Sequence, residues 1–379
     1  MPNTKTHLRE LSVALTIGML KNNIDFSLSD LYDGNFFYSK ALEVISNDNL
    51  HLAQRIQEFE TFSYDNKQII SNGYQLGVAI FNHPHFIFKK SDNIMWLGSD
   101  TSKEDPIDIL IGKYGFSLKE DSFILENMGL YKLINLFTGS NYKHVHIFKQ
   151  FSPQEFNEWF NTTWNILVEY LVLNKIWTYD DSQRYKTSIR LNGDKVHFNY
   201  SLRDGSKSIN KFLDKNSDYS DFEKNTISLI REHAFSKFIN KVASKEDEYN
   251  NAKRECALIA TQNLSSYLMD NLKYEETLAR FLRIHEKEYY YAKTTSRGVE
   301  IYKVPSRDKF GTDVTIDSIK PSVPKDQANI ITTIKNNKTN KTLTLRNEYR
   351  YSHGQFNGTP EAKLYYRRND SLLAIYEEL

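Results

Sequence analysis

Between Asp105 and Asp121 the chain reads DPIDILIGKYGFSLKED, and Asp108, Ser117 and Lys119 place a carboxylate, a hydroxyl and an ammonium close together in it. A carboxylate is a hard oxygen ligand. A lysine beside it can pair with it, offset negative charge or exchange a proton. The same three groups also make an ordinary surface hairpin with one cross-strand ion pair, worth about 0.2–1 kcal/mol.

Which of these holds depends on how the segment folds. Two β-prone runs, IDILI and FSLK, flank Gly-Lys-Tyr-Gly, a hairpin signal. With the turn centred between Lys113 and Tyr114, Ile111 faces Phe116, Leu110 faces Ser117, Ile109 faces Leu118 and Asp108 faces Lys119. One sheet face is then Ile109, Ile111, Phe116 and Leu118, wholly apolar, and the other carries Asp108, Leu110, Ser117 and Lys119. A slip of one residue would drive Asp108 into the apolar face, so this register is favoured.

The surrounding elements follow from periodicity. Residues 1–82 read as mainly helical, beginning with an amphipathic N-terminal helix that is neither a signal peptide nor a membrane span. HFIFKK (85–90) and NIMWLG (93–98) read as short strands. A helix is expected from about Ser122, and another from Ser152-Pro153-Gln154-Glu155, which combines an N-cap, a Pro at the first position and a capping-box Glu. KTSIRLNGDKVHFNYS reads as a hairpin turning at Asn192-Gly193, residues 218–286 as helical, and the chain from Tyr289 as β-rich.

An acid followed on the next strand by x-Lys resembles the active site of PD-(D/E)XK nucleases, type II restriction endonucleases in particular. GFSLKEDSFILENMGL is similar to their active-site strand and following helix, and NEYRYSHGQFNGTPEAKLYY (347–366) to the endings of some of them. The resemblance implies an α/β fold, a mixed sheet flanked by helices. It implies Mg²⁺ held by Asp108, and Lys119 acting on the attacking water. Ser117 departs from the pattern, standing where Asp or Glu is usual. Some members of the superfamily carry Ser-x-Lys with an acid from the following helix, which implies Glu126 as second catalytic and metal-binding carboxylate, with Asp121 as the alternative. The upstream helix of the family resembles SNGYQLGVA, with Gln75 at the acid position and Glu58 and Glu60 further back.

Charge points to the partner. Residues 287–368 hold 16 Lys/Arg against 8 Asp/Glu, +8 in a chain whose total is +1. A basic segment interleaved with tyrosines suits a phosphate backbone. Arg346 and Arg350 share a strand face; with His353, Gln355, Asn357 and Lys363 they are the expected contacts to double-stranded DNA. The expected organisation is a nuclease core with N-terminal helices (1–180), a mainly helical region with a hairpin (181–286) and a β-rich DNA-recognition module (287–379). The resulting expectation is a cytoplasmic, homodimeric, Mg²⁺-dependent endonuclease cutting a short sequence. The alternatives are a structure-specific repair nuclease and a DNA-binding protein with a degenerate core.

Other constellations point elsewhere. The single cysteine, Cys256, excludes a multi-cysteine zinc site and an internal disulfide. His83-Pro-His85 and His144-Val-His146 pair imidazoles without a matching carboxylate or cysteine, and read as packing or surface residues. Neither a P-loop nor Gly-x-Gly-x-x-Gly is present.

Overall fold

The computed structural model describes residues 4–46, 64–98, 106–120, 124–141, 146–272, 278–279, 282–310, 313–324, 327–350, 354–358, 361–366 and 372–379. Its central element is a six-stranded sheet built from both ends of the chain. The sheet runs β1 (Ile94–Trp96), β2 (Ile109–Ile111), β3 (Tyr114–Lys119), β9 (Tyr289–Thr295), β10 (Gly298–Val304) and β15 (Glu377–Glu378). Neighbours are antiparallel except β3 and β9, which run parallel, so the whole of residues 120–288 forms one crossover between them.

Side-chain alternation sends the two faces of this sheet into two cores. Ile109, Ile111, Phe116, Leu118, Tyr290, Ala292 and Ile301 pack against the N-terminal helices, while Tyr289, Tyr291, Tyr302 and Val304 join the larger core on the other side. Helix α1 (Thr4–Lys21) covers the first face and is buried from His7 to Met19, charged residues included. The N-terminal helix, expected to be amphipathic, is therefore buried on all sides over this stretch. Helix α2 (Tyr64–Asn82) lies against it at close range: a Cβ at Gly73 would stand 2.8 Å from the Arg9 carbonyl, and one at Gly77 2.8 Å from Thr16 Cβ.

A second, antiparallel sheet has the order β11 (Val314–Ser322), β12 (Asn329–Asn336), β13 (Thr342–Arg350), β14 (Glu361–Tyr366) and β4 (Ile124–Gly129). A third, β5 (Ile176–Asp181) to β8 (Ser208–Asp214) with β6 (Tyr185–Asn192) and β7 (Lys195–Leu202) between, is a simple meander. Two long helices, α3 (Pro153–Asn174) and α4 (Asp247–Asp270), pack together in the larger core. The chain is an α/β protein with one mixed and two antiparallel sheets.

Four expectations change. The segment after Ser122 is strand β4, paired with β14, where a helix was expected. Residues 85–90 form no strand. The Ser152 hydroxyl donates to the Phe148 carbonyl and caps no N–H, although Pro153 does open α3. A boundary at 286 separates no sheets, because β9 and β10 complete the first sheet and β4 completes the second. Among the described residues no helix is long and apolar enough to cross a membrane.

Candidate active site

The β2–β3 hairpin turns one residue earlier than its glycines suggest, which shifts the pairing by two. Ile111 pairs with Tyr114, Leu110 with Gly115 and Ile109 with Phe116, so the loop is Gly112-Lys113, with Gly112 at φ +54°. Gly115 serves packing instead of the turn: a Cβ there would lie 2.6 Å from Ile107 Cδ1. A shift of two preserves the faces, and Ile109, Ile111, Phe116 and Leu118 are all fully buried, as alternation predicts.

Asp108 stands just before β2, and its backbone N–H donates to the Phe116 carbonyl (2.8 Å). Its Oδ2 accepts the Leu118 N–H (2.6 Å) and the Ser117 hydroxyl (3.5 Å) and lies 3.8 Å from Lys119 Nζ. Ser117 is buried, whereas the side chains of Asp108 and Lys119 keep 19% and 24% of their exposure. The three groups therefore meet at one end of the sheet with a route to solvent.

A second carboxylate joins them from a direction the sequence did not suggest. Glu10 of α1 is buried and accepts the Trp96 indole N–H at 3.0 Å. Gly98 makes room for it, since a Cβ there would overlap the Glu10 carboxylate. Burial, and then the negative charge of Asp108, push Glu10 up to about 8, against the opposing pull of Trp96, Arg9 and Lys119. A Glu and an Arg adjoining on an otherwise apolar helix (HLRELSVALTIGML) were the available signal.

Cations surround the pair. Arg9 donates to the Leu118 carbonyl at 3.3 Å and stands 3.5 Å from Glu120, which also accepts from Asn72 of α2 at 2.7 Å. Burial lowers the pKa of Lys119; Asp108 and Glu10 favour its charge, while Arg283 and Arg9 oppose it. On β9, Lys293 is the register partner of Lys119. Burial acts against its charge, but Tyr366 Oη at 3.0 Å and Glu300 at 2.9 Å hold its pKa above the usual lysine value. Through Tyr366, the end of β14 in the second sheet touches the strand beside Lys119.

The other expected acids lie elsewhere. Glu126 is on β4, opposite Leu364 in the second sheet, so it does not follow Lys119 on a helix. Gln75 is exposed on α2. Asp121, Glu58 and Glu60 lie outside the described residues. Among the described residues no group of three or more His, Cys, Asp or Glu side chains is gathered to hold a metal. Of the paired histidines, His85 bonds Tyr290 Oη at 3.0 Å, and buried His146 is pushed down to about 4 by desolvation.

The expected DNA contacts fall into two sets. Arg346 and Arg350 do share a face of β13, but buried Glu348 lies between them, 3.1 Å from Arg346 Nη2 and bonded to Arg350 Nε. The Arg346 guanidinium also lies 4.8 Å over the Tyr365 ring, and Lys363 is the register partner of Glu348. The segment 354–358 is anchored: Phe356 fills an aromatic cluster with Phe156, Trp159 and Phe160. Its neighbours bond inward, Gln355 Nε2 to Asn240 Oδ1 (3.3 Å) and Asn357 Nδ2 to Ser228 Oγ (3.1 Å). His353 lies outside the described residues.

Comparison with family models, with curated proteins and with solved structures finds no match to this chain.

Proposed function

We propose that the chain is a Mg²⁺-dependent endonuclease of the PD-(D/E)XK type that hydrolyses double-stranded DNA at a short sequence. The observation carrying this reading is the convergence of Asp108, Lys119 and Glu10 from three separate elements at one partly open sheet end. Burial first, and then the Asp108 charge, disfavour the ionised form of Glu10. A divalent cation held by the two carboxylates would offset the part that comes from their mutual repulsion.

The donor set suits Mg²⁺, which keeps most of its waters and takes one or two carboxylates plus substrate phosphate. Asp108 and Glu10 would hold it, with Glu10 filling the place expected for Glu126. When bound, the ion polarises the phosphate and lowers the pKa of a coordinated water. The protein groups do the rest. Leu118 N–H and the Ser117 hydroxyl fix the Asp108 carboxylate. Lys119, its pKa lowered by burial, orients the attacking water and can take its proton. Arg9 and Arg283 make the surroundings favourable for a phosphate. The face of β13 and β14 bearing Arg346, Lys363 and Tyr365 is the proposed DNA contact, and a homodimer would match the symmetry of a palindromic target.

Incubation of the protein with unmethylated mixed-sequence duplex and Mg²⁺ tests this. Discrete fragments are expected. Cleavage confined to branched DNA would favour the repair-nuclease reading, and tight binding without cleavage under any divalent ion would favour the non-catalytic one.

A further inference from the structure

A cavity of about 490 Å³ opens between the end of β13, the start of β14 and helices α3 and α4. This falls within the roughly 300–1,000 Å³ of small-molecule sites. Its lining divides by chemistry. Trp159 and Tyr349 supply aromatic surface, and Lys253, Arg350 and Lys363 bring three positive charges against two carboxylates, Glu361 in the lining and Glu348, which Arg350 bonds. Gln355 spends its Nε2 on Asn240, leaving a buried Oε1 with no hydrogen-bond partner, and the buried Tyr349 hydroxyl likewise has none. A buried polar atom left unpaired is costly, and a ligand able to bond it would recover that cost.

Aromatic surface, excess positive charge and unpaired amide and hydroxyl groups together select a planar, hydrogen-bonding, anionic molecule. We propose that the cavity is a nucleotide site, taking a base and its phosphate. Arg350 and Lys363 place it next to the sheet face proposed to contact DNA. The nucleotide is therefore either one turned out of the duplex, which rests on the reading above, or a free mononucleotide, which does not. Extrusion costs unstacking, which stacking on an aromatic ring of the cavity offsets in part.

The test uses the full chain without divalent ion, so that DNA stays intact. It is titrated with each 5′-mononucleotide by calorimetry, and separately with duplexes carrying 2-aminopurine at successive positions. A change in 2-aminopurine emission confined to one position, a rise on leaving the stack or a quench on an aromatic ring of the cavity, assigns the cavity to an extruded base. Saturable mononucleotide binding without such a change assigns it to a free nucleotide. In either case Gln355→Leu should weaken the signal about tenfold, the worth of one buried hydrogen bond. Ala257→Trp, which fills the cavity, should abolish it, with circular dichroism confirming the fold of both variants. Absence of both signals, or signals that both folded variants leave unchanged, overturns the proposal. Mononucleotide binding needs no cleavage, so a chain that binds mononucleotides yet cuts no DNA keeps this site and loses the nuclease reading. A cutting enzyme lacking both signals loses only the site.

Discussion

The Asp108 carboxylate accepts the backbone N–H of Leu118 at 2.6 Å, at the point where the β2–β3 ladder ends. The same oxygen, Oδ2, stands 3.8 Å from Lys119 Nζ. One atom thus ties the strand's end to its lysine, so the acid is positioned by backbone as well as by charge. Asp108→Asn keeps an oxygen for the Leu118 N–H and removes the charge. We expect the variant to fold with a change of about 1 kcal/mol or less in denaturant unfolding, and to lose Mg²⁺ binding by calorimetry. Mg²⁺ affinity equal to that of the parent would exclude Asp108 as a ligand.

Glu10 gives a pH dependence with a definite sign. Its folded pKa, about 8, is above its ordinary value of 4.5, so the folded state holds the proton more tightly than the unfolded one. This group's contribution to stability is fully present below about 4.5 and is lost as pH rises towards 8. The loss should amount to a few kcal/mol at most. Glu10→Gln should flatten the fall in Tm across that window, and Mg²⁺ should raise the Tm of the parent at pH 8 more than that of the variant. Identical pH profiles for the two proteins would show that Glu10 does not carry the shift.

Gly98→Ala probes the same carboxylate by volume. The added methyl would overlap the Glu10 carboxylate and crowd the Trp96 indole nitrogen, 2.9 Å away. Overpacking of this kind costs about 1–3 kcal/mol. Cleavage should fall at least as far as in Glu10→Gln, while far-ultraviolet circular dichroism is retained. Full activity in Gly98→Ala would mean that the carboxylate can move without consequence.

On the second sheet, Arg346 stacks over Tyr365 with its charge partly satisfied by Glu348. If Arg346 meets a phosphate, Arg346→Ala should weaken binding of all sequences alike and reduce the slope of log affinity against log salt by about 1. An unchanged slope would assign Arg346 to the Glu348 pair alone.

Much of the local architecture is legible in the residues. Alternation fixes the two faces of the hairpin whatever its exact register, because a shift of two leaves parity intact. The missed register traces to Gly115, whose missing Cβ admits Ile107 and does not mark a turn. Glu10 was out of reach because its contact with Trp96 spans 86 residues and depends on α1 being buried. ILENMG reads as easily as a helix as a strand, and its pairing with β14 decides the matter from more than 230 residues away. The same long-range pairing carries β9 to β3 and places Lys293 beside Lys119. Local periodicity holds no record of such partners.

The most direct measurement is a comparison of the parent, Lys119→Ala and Lys119→Arg on one unmethylated duplex with Mg²⁺, with DNA binding measured alongside. Discrete fragments are expected from the parent alone and unimpaired binding from all three, because arginine keeps the charge but cannot exchange the proton. Equal cleavage by parent and Lys119→Ala, or no cleavage by any of them with Mg²⁺ or Mn²⁺, would contradict the nuclease reading.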